Sequence, residues 1–231
     1  MVNGSSSPGV DDAFLAMPSR SMADAALDRA RALGASHADF RLERVRDQAV
    51  RLRDSRLEAS SDSEDVGFAV RVVVDGTWGF ASGIDLTPET AARVAEQAVE
   101  VARTCRPVNT EPIELAPEPA YPDATWVSAY DVDPFDVPLR DKVALLSEWS
   151  SGMLGAVDHV SASLMQVKEQ KFYADTAGTV TTQQRVRVHP ALTAMKTDGD
   201  RFDDMRTLAP PVGRGYEYLT GTGWDFDAEI A

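Results

Sequence analysis

The residues of this chain that could do metal or acid–base chemistry are three histidines, one cysteine and several clusters of aspartate. His37, His159 and His189 lie far apart in sequence, each inside a strand or turn pattern. A zinc-peptidase helix needs two imidazoles on one face with a glutamate between them, because the metal takes both rings and the carboxylate activates a water. No pair here has that spacing. Cys105 is the one cysteine, so a Cys-rich zinc site and an internal disulfide are both excluded. It has no nearby histidine to activate it and reads as a structural or surface residue. Asp131, Asp133 and Asp136 lack the glycine and the distal glutamate of a calcium loop, and Pro134 interrupts them. Asp198, Asp200, Asp203 and Asp204 gather around Gly199 as a hairpin tip would.

Nucleophiles and phosphate loops fare no better. Ser82 follows Gly79-Phe80-Ala81 without the Gly-x-Ser-x-Gly elbow and without an obvious base. Gly213-Arg214-Gly215 and Gly221-Thr222-Gly223 are glycine-rich, but neither follows an apolar strand and opens a helix. Arg41, Arg44, Arg46, Arg51, Arg53 and Arg56 form a basic stripe interleaved with Asp39, Glu43, Asp47, Asp54 and Glu58. That pattern favours a self-neutralising strand face over a nucleic-acid groove. Residue by residue, no catalytic, cofactor-binding or metal-binding position is expected in this chain.

The elements that would position these residues follow from periodicity. Ser21 and Asp24 read as a helix start, followed by Ala23, Ala26, Leu27 and Ala30 at helical spacing and by Gly34 as a stop. From Ala38 the period becomes two: Ala38, Phe40 and Leu42, then Val50 and Leu52, then Val66, Phe68, Val70, Val72 and Val74. Asp75-Gly76 predicts a tight hairpin into Thr77–Phe80, since such a turn needs positive φ at both central positions. Thr87-Pro88 opens a second helix carrying Ala91, Val94, Ala95, Ala98, Val99 and Ala102 on one stripe. Pro107, Pro112, Pro117, Pro119, Pro122, Pro134 and Pro138 mark a linker or extended wrap. A third helix carries Leu139, Val143, Leu146, Trp149 and Met153; strands resume at Val160, Ala162 and Leu164, at Lys171–Asp175 and at Val180–Val188. Asp225–Ala231 begins another helix, within which the chain stops, and a truncation is expected there.

The predicted fold class is α+β. A two-layer N-terminal domain of antiparallel strands with helices is followed by a second mixed, strand-rich domain. The expected divisions are a flexible lead-in over 1–20, an N-terminal domain over 21–106, a Pro-rich linker over 107–138 and a middle domain over 139–231. The composition, 43% hydrophobic and 26% charged, is that of an ordinary globular protein. The formal charge of -14 is uneven: residues 109–231 hold 20 acids against 10 bases, residues 1–108 hold 17 against 13. Such acidity removes the driving force for non-specific nucleic-acid or anionic-membrane binding. A single cysteine and a start without basic and apolar leader regions predict a cytoplasmic protein.

Several stretches resemble the TldD/PmbA family: Ala35–Arg44, with its Ala-Asp-Phe-Arg-Leu-Glu core; Val50–Glu58; Gly67–Ser82, the most specific; Gln183–Val188; and Gly213–Glu217. Trp78-Gly79-Phe80-Ala81-Ser82 is similar to the TldD branch, whose members carry the metal site that PmbA (TldE) partners generally lack. The resemblance implies a zinc-dependent peptidase acting on unfolded proteins or peptides as a heterodimer with a PmbA/TldE-like subunit. In the family, a His-Glu-x-x-x-His helix and a cysteine in a C-terminal domain hold the metal. No position here matches that motif, so no catalytic or metal residue is carried over, no cofactor is expected in this chain, and the metal-binding domain is expected to be absent.

The expected function is the N-terminal part of a TldD-type zinc metallopeptidase subunit, inactive alone. The alternative is a non-catalytic interaction protein that binds peptides or forms the heterodimer, with an exposed strand edge taking an extended peptide. A small independent hydrolase is a third reading. Apolar surface left uncovered would make the isolated chain sticky.

Overall fold

Alternation in the first half of the chain produces two very long strands. β1 (His37–Arg53) and β2 (Arg56–Val74) pair antiparallel over almost their whole length. The pairing slips once, between Arg51 and Leu52, where Leu52 faces Leu57 and Arg51 faces Ala59. Asp75 and Gly76 then turn the chain with φ of 48° and 69°, the conformation that the Asp-Gly pair predicts. β3 (Thr77–Gly83) returns along β2 from Val74 to Phe68 and stops there. The sequence reading divided β1 in two, because Arg44–Ala49 lacks apolar alternation. The structure runs one strand through.

The computed structural model describes residues 9–231. Residues 1–8 of the expected lead-in lie outside the described residues. From Gly9 onward the lead-in is tied down, a correction to the flexible segment expected there. Phe14, in the short helix α1 (Asp12–Leu15), is buried, and the Asp11 amide donates to Gln184 at 3.0 Å. α2 (Ser19–Ala32) starts at Ser19 rather than Ser21. The Ser21 hydroxyl donates back to the Pro18 carbonyl at 3.0 Å and caps nothing, so the Ser-x-x-Asp signature misplaces the start by two residues. α3 (Pro88–Cys105) behaves as expected: the Thr87 side chain accepts from the Thr90 amide, and all six stripe residues are buried.

In the second half, the Pro-rich stretch holds one short strand, β4 (Ala124–Val127), and α4 (Leu139–Met153) follows it. β5 (His159–Asp175), β6 (Val180–Asp198) and β7 (Arg201–Arg206) form a meander, and α5 (Phe226–Ile230) is capped by Asp225. β1 and β5 pair antiparallel from Asp39–Asp175 to Arg53–Ser161. The strands therefore form one seven-stranded sheet in the order β3-β2-β1-β5-β6-β4, with β7 on the other end of β6. This is the α+β class that the sequence predicts.

One face of the sheet carries the helices, and two apolar cores lie on it. α2 and α3 cover Phe40, Leu42, Phe68, Val70, Val72 and Phe172. α4 and α5 cover Val50, Leu52, Val160, Ala162, Leu164 and Leu192. Between the cores, the same face of β1 carries Arg44, Arg46 and Gln48, and that of β5 carries Gln166, Lys168 and Gln170. This polar seam is closed by bonding among its members: Gln170 to Gln184 at 2.6 Å, Gln184 to the Tyr130 hydroxyl at 2.8 Å, Gln166 and Lys142 to Gln48 at 2.9 and 2.6 Å. Lys168 binds Asp133 and Asp11. Among the described residues, the opposite face of the sheet bears no helix.

Candidate functional site

β3 is shorter than the strand it pairs with, and the difference leaves a step. The hairpin geometry shows which backbone groups face outward. In a two-residue hairpin the flanking pair, Val74 and Thr77, exchanges both of its hydrogen bonds. Counting back by twos, the even residues of β2 direct N–H and C=O toward β3, and the odd ones toward β1. The Ser36 amide, which donates to the Val73 carbonyl from the β1 side at 2.9 Å, agrees with this alternation. Beyond Phe68 the β3 partner is gone. Ser60, Asp62 and Glu64 therefore present backbone donors and acceptors to an open edge, with Val66 beside the end of β3. Among the described residues no backbone hydrogen bond reaches them from that side. The regular stretch 59–66 is about 27 Å long at roughly 3.4 Å per residue.

The side chains along this step divide between the two faces. On the helix-bearing face, Asp62 accepts from Arg46 at 3.0 and 2.9 Å and from Gln48 at 2.9 Å, and Glu64 accepts from Arg44 at 2.7 Å. The hydrogen bond from Arg46 to Asp62, and that from Arg44 to Glu64, hold both carboxyls below the usual carboxylate range. On the open face lie Ala59, Ser61, Ser63, Asp65 and Gly67. Where β3 ends, an open groove of about 710 Å³ is lined by Val45, Asp65, Gly67, Phe80, Ser82 and Ile84, among others. Phe80 and Ile84 are 58% and 79% exposed, which makes the wall apolar and wet.

The segment Trp78–Ser82 explains how this wall is held. Trp78, Phe80 and Ser82 face the open side, opposite Val73, Arg71 and Ala69. Gly79 faces α3, where a Cβ would stand 1.9 Å from the Ala98 carbonyl oxygen; only glycine lets the helix come that close. Next to it, Asp39 is 1% exposed and binds Arg71 Nε at 2.8 Å, Arg41 Nε at 3.2 Å and His37 Nε2 at 3.5 Å. Burial pushes its pKa up, but the hydrogen bonds from His37 and Arg71 and the charges of Arg41 and Arg71 outweigh that and hold it low. The Arg71 guanidinium lies over the Trp78 ring at 4.5 Å. This network braces the edge strand and leaves no group free to act as an acid or base.

The sequence candidates scatter over the molecule. His37 serves Asp39, His159 binds Asp54 at 3.0 Å at the β1–β2 tip, and His189 lies beside Arg206. Cys105 is exposed at the end of α3. Asp133 binds Lys168 within the seam, while Asp131 and Asp136 lie on the loop before α4. Gly199, at φ 57°, is the turn between β6 and β7, as its aspartate neighbours suggested. Gly215 packs where a Cβ would meet the Val132 carbonyl oxygen at 2.1 Å, and Glu217 beside it accepts from the Gly215 and Val132 amides; both are packing roles. Among the described residues no three His, Cys, Asp or Glu side chains converge as metal ligands. The donor set of this chain does not fit the zinc that the family resemblance implies. The open edge carried no sequence signal except the run of Ser and acid between Leu57 and Val66.

A seven-stranded antiparallel-rich sheet with helices on one face, and with a stepped edge, is the class that the geometry defines. Residues 38–102 match the family described as PmbA/TldA metallopeptidase domain 1. A metalloprotease of Methanothermobacter thermautotrophicus is 24% identical over 164 residues, covering 71% of this chain and 35% of that protein. In fold, the chain is similar to a candidate modulator of a DNA gyrase from Thermotoga maritima (TM-score 0.64, 14% identity, 91% of this chain and 46% of that one). It is also similar to TldE from Thermococcus kodakarensis (TM-score 0.55, 15% identity, 90% and 45%). The chain is thus similar to TldD/PmbA proteins in the sequence of residues 38–102 and in fold. It spans about a third of the curated relative's length and under half of either solved chain's.

Proposed function

We propose that this chain is the substrate-holding portion of a TldD-type metallopeptidase. It captures an extended segment of an unfolded protein or peptide by strand addition, in the cytoplasm and beside a PmbA/TldE-like subunit, and it does not itself cut. The observation that carries this reading is the step in the sheet: three outward-facing residues of β2 with unpaired backbone groups, next to an apolar groove. Main-chain hydrogen bonds along such an edge supply affinity without demanding one sequence, as a handler of unfolded chains requires. The similarity to TldD/PmbA proteins supports the peptide as ligand and the PmbA/TldE-like subunit as partner. Zinc enters the proposal only as a cofactor of the family, because among the described residues none converge to hold it.

The test uses a pool of ten-residue, fluorescein-labelled unstructured peptides of varied charge, titrated against the chain by anisotropy. Ser60→Pro removes one outward N–H while leaving the β1 ladder whole, and proline is tolerated on sheet edges. Saturable binding by some peptides, weakened about threefold to tenfold by Ser60→Pro at unchanged circular dichroism, is the expected result. No binding by any peptide would overturn the proposal. So would cleavage of the peptides by the purified chain with added zinc.

A further inference from the structure

We infer that the stepped edge selects for a basic segment: a strand with lysine or arginine at two successive positions on the open face. This rests on the strand-addition reading above and adds the chemistry of the occupant.

Side chains of an added strand would alternate between the two faces of the sheet, as those of β2 do. On the helix-bearing face the acids of β2 are already satisfied, Asp62 by Arg46 and Glu64 by Arg44. A cation there would gain little. On the open face the neighbours in register are Ser63 with Asp47, Asp65 with Val45 and Gly67 with Glu43. Glu43 is taken by Lys171 at 2.8 Å. Asp65 and Asp47 have no ion-pair partner among the described residues; Asp47 accepts only the Ser63 hydroxyl, at 2.5 Å. Two unmatched carboxylates thus stand two residues apart in register, one on the edge strand and one behind it. A side chain added opposite Asp65 would have its Cβ about 5 Å away, and a long cationic one opposite Ser63 reaches Asp47 over that small serine.

Beyond these two positions Ile84, the residue after β3, already lies beside Gly67, so the added strand ends opposite Asp65. A second copy of the chain is the wrong occupant. Self-pairing along 59–66 would bring Asp65, Glu64 and Asp62 against an edge of the same sign, within a protein of net charge -14.

Three labelled peptides test this, all of alternating threonine, with Lys-Lys, Gln-Gln or Glu-Glu at two successive positions of one face. The lysine peptide should bind about fivefold to tenfold more tightly than the glutamine peptide, a gap that closes in high salt, and the glutamate peptide should bind most weakly. Asp65→Lys, a fully surface change, should reverse the order of the charged peptides. Equal binding of the lysine and glutamine peptides would overturn the charge preference yet leave strand addition standing. Absence of binding by all three, with no effect of Ser60→Pro, would remove the edge as a site altogether. A dimer that Ser60→Pro abolishes in sedimentation would show that a second copy is the occupant and overturn the inference.

Discussion

Asp39 and Lys142 are both buried charged side chains, and their surroundings make them opposite in sign of effect. Burial disfavours the charge of Asp39, but the hydrogen bonds it accepts from His37 and Arg71 and the charges of Arg71 and Arg41 outweigh that, so its ionised form is favoured and its pKa is lowered. That stability is present above the unfolded value near 3.9 and is lost as pH falls through the lower folded value. Asp39→Asn leaves Arg71 and Arg41 without their counter-charge and is expected to cost about 2 kcal/mol at pH 7, a loss that vanishes in urea titrations taken at strongly acid pH. An unchanged midpoint at pH 7 would mean that solvent compensates both arginines. Among the described residues Lys142 pairs with no carboxylate, only with the Gln48 amide oxygen, and burial lowers its pKa to about 8 despite Asp62 and Asp133 nearby. Its ammonium therefore costs stability below pH 8, and the cost fades as pH climbs toward the unfolded value near 10.4. Lys142→Met, of similar shape, should raise stability at pH 7 by about 1–2 kcal/mol and lose that advantage by pH 10. A variant less stable at both pH values would give the ammonium a positive structural role. Nothing in the sequence marked Lys142 as buried. Its place between Leu139 and Val143 looks like a polar flank, and its burial depends on the distant β1, where Gln48 receives its ammonium.

Among the elements, α3 and the β2–β3 hairpin were the most legible, because each is fixed by local chemistry: a Thr-Pro cap, a six-residue stripe, an Asp-Gly turn. Less visible was whatever depends on distant partners. The middle of β1 and the first half of β2 are polar, so alternation fails there. They are strands because β5 and β1 pair with them through Arg44–Gln48 and Asp62–Glu64. β4 was hidden among prolines for the same reason, being held by its parallel register with Thr181–Gln184. The open edge left only the run of Ser and acid between Leu57 and Val66 as a sign in the sequence, since an edge is defined by the missing neighbour. Two glycines separate packing from propensity at this scale. Gly79→Ala places a methyl 1.9 Å from the Ala98 carbonyl oxygen and 2.8 Å from the Ala102 amide nitrogen, so α3 must move. The expected cost is about 3 kcal/mol, seen as a lower thermal midpoint. Gly152→Ala, inside α4 with its nearest neighbour at 3.9 Å, should instead gain up to about 1 kcal/mol. A tolerated Gly79→Ala would show that α3 is not seated on β3 as described.

For the molecule as a whole, one sheet runs through two cores, and the boundary expected from the Pro-rich stretch crosses strands that do not end there. β1 contributes Phe40 and Leu42 to one core and Val50 and Leu52 to the other; β5 does the same with Phe172 and Ala174, then Leu164 and Ala162. Breaking either core strips one end of both strands of their cover. Against this stands the polar seam, whose buried groups contribute little net stability and could let the halves part. The two long strands decide it: β1 and β5 share fifteen paired positions across the seam, and those main-chain bonds cannot open at one end without exposing seam groups that have no other partners. The two ends are therefore expected to unfold together. Variants keeping only Trp78, beside the first core, or only Trp149, stacked on Phe226 in the second, should report the same urea midpoint within error. Separate midpoints would make the seam a true domain boundary. They would place the stepped edge, whose Asp62 and Glu64 lean on Arg46 and Arg44, at the joint between two independently folding units.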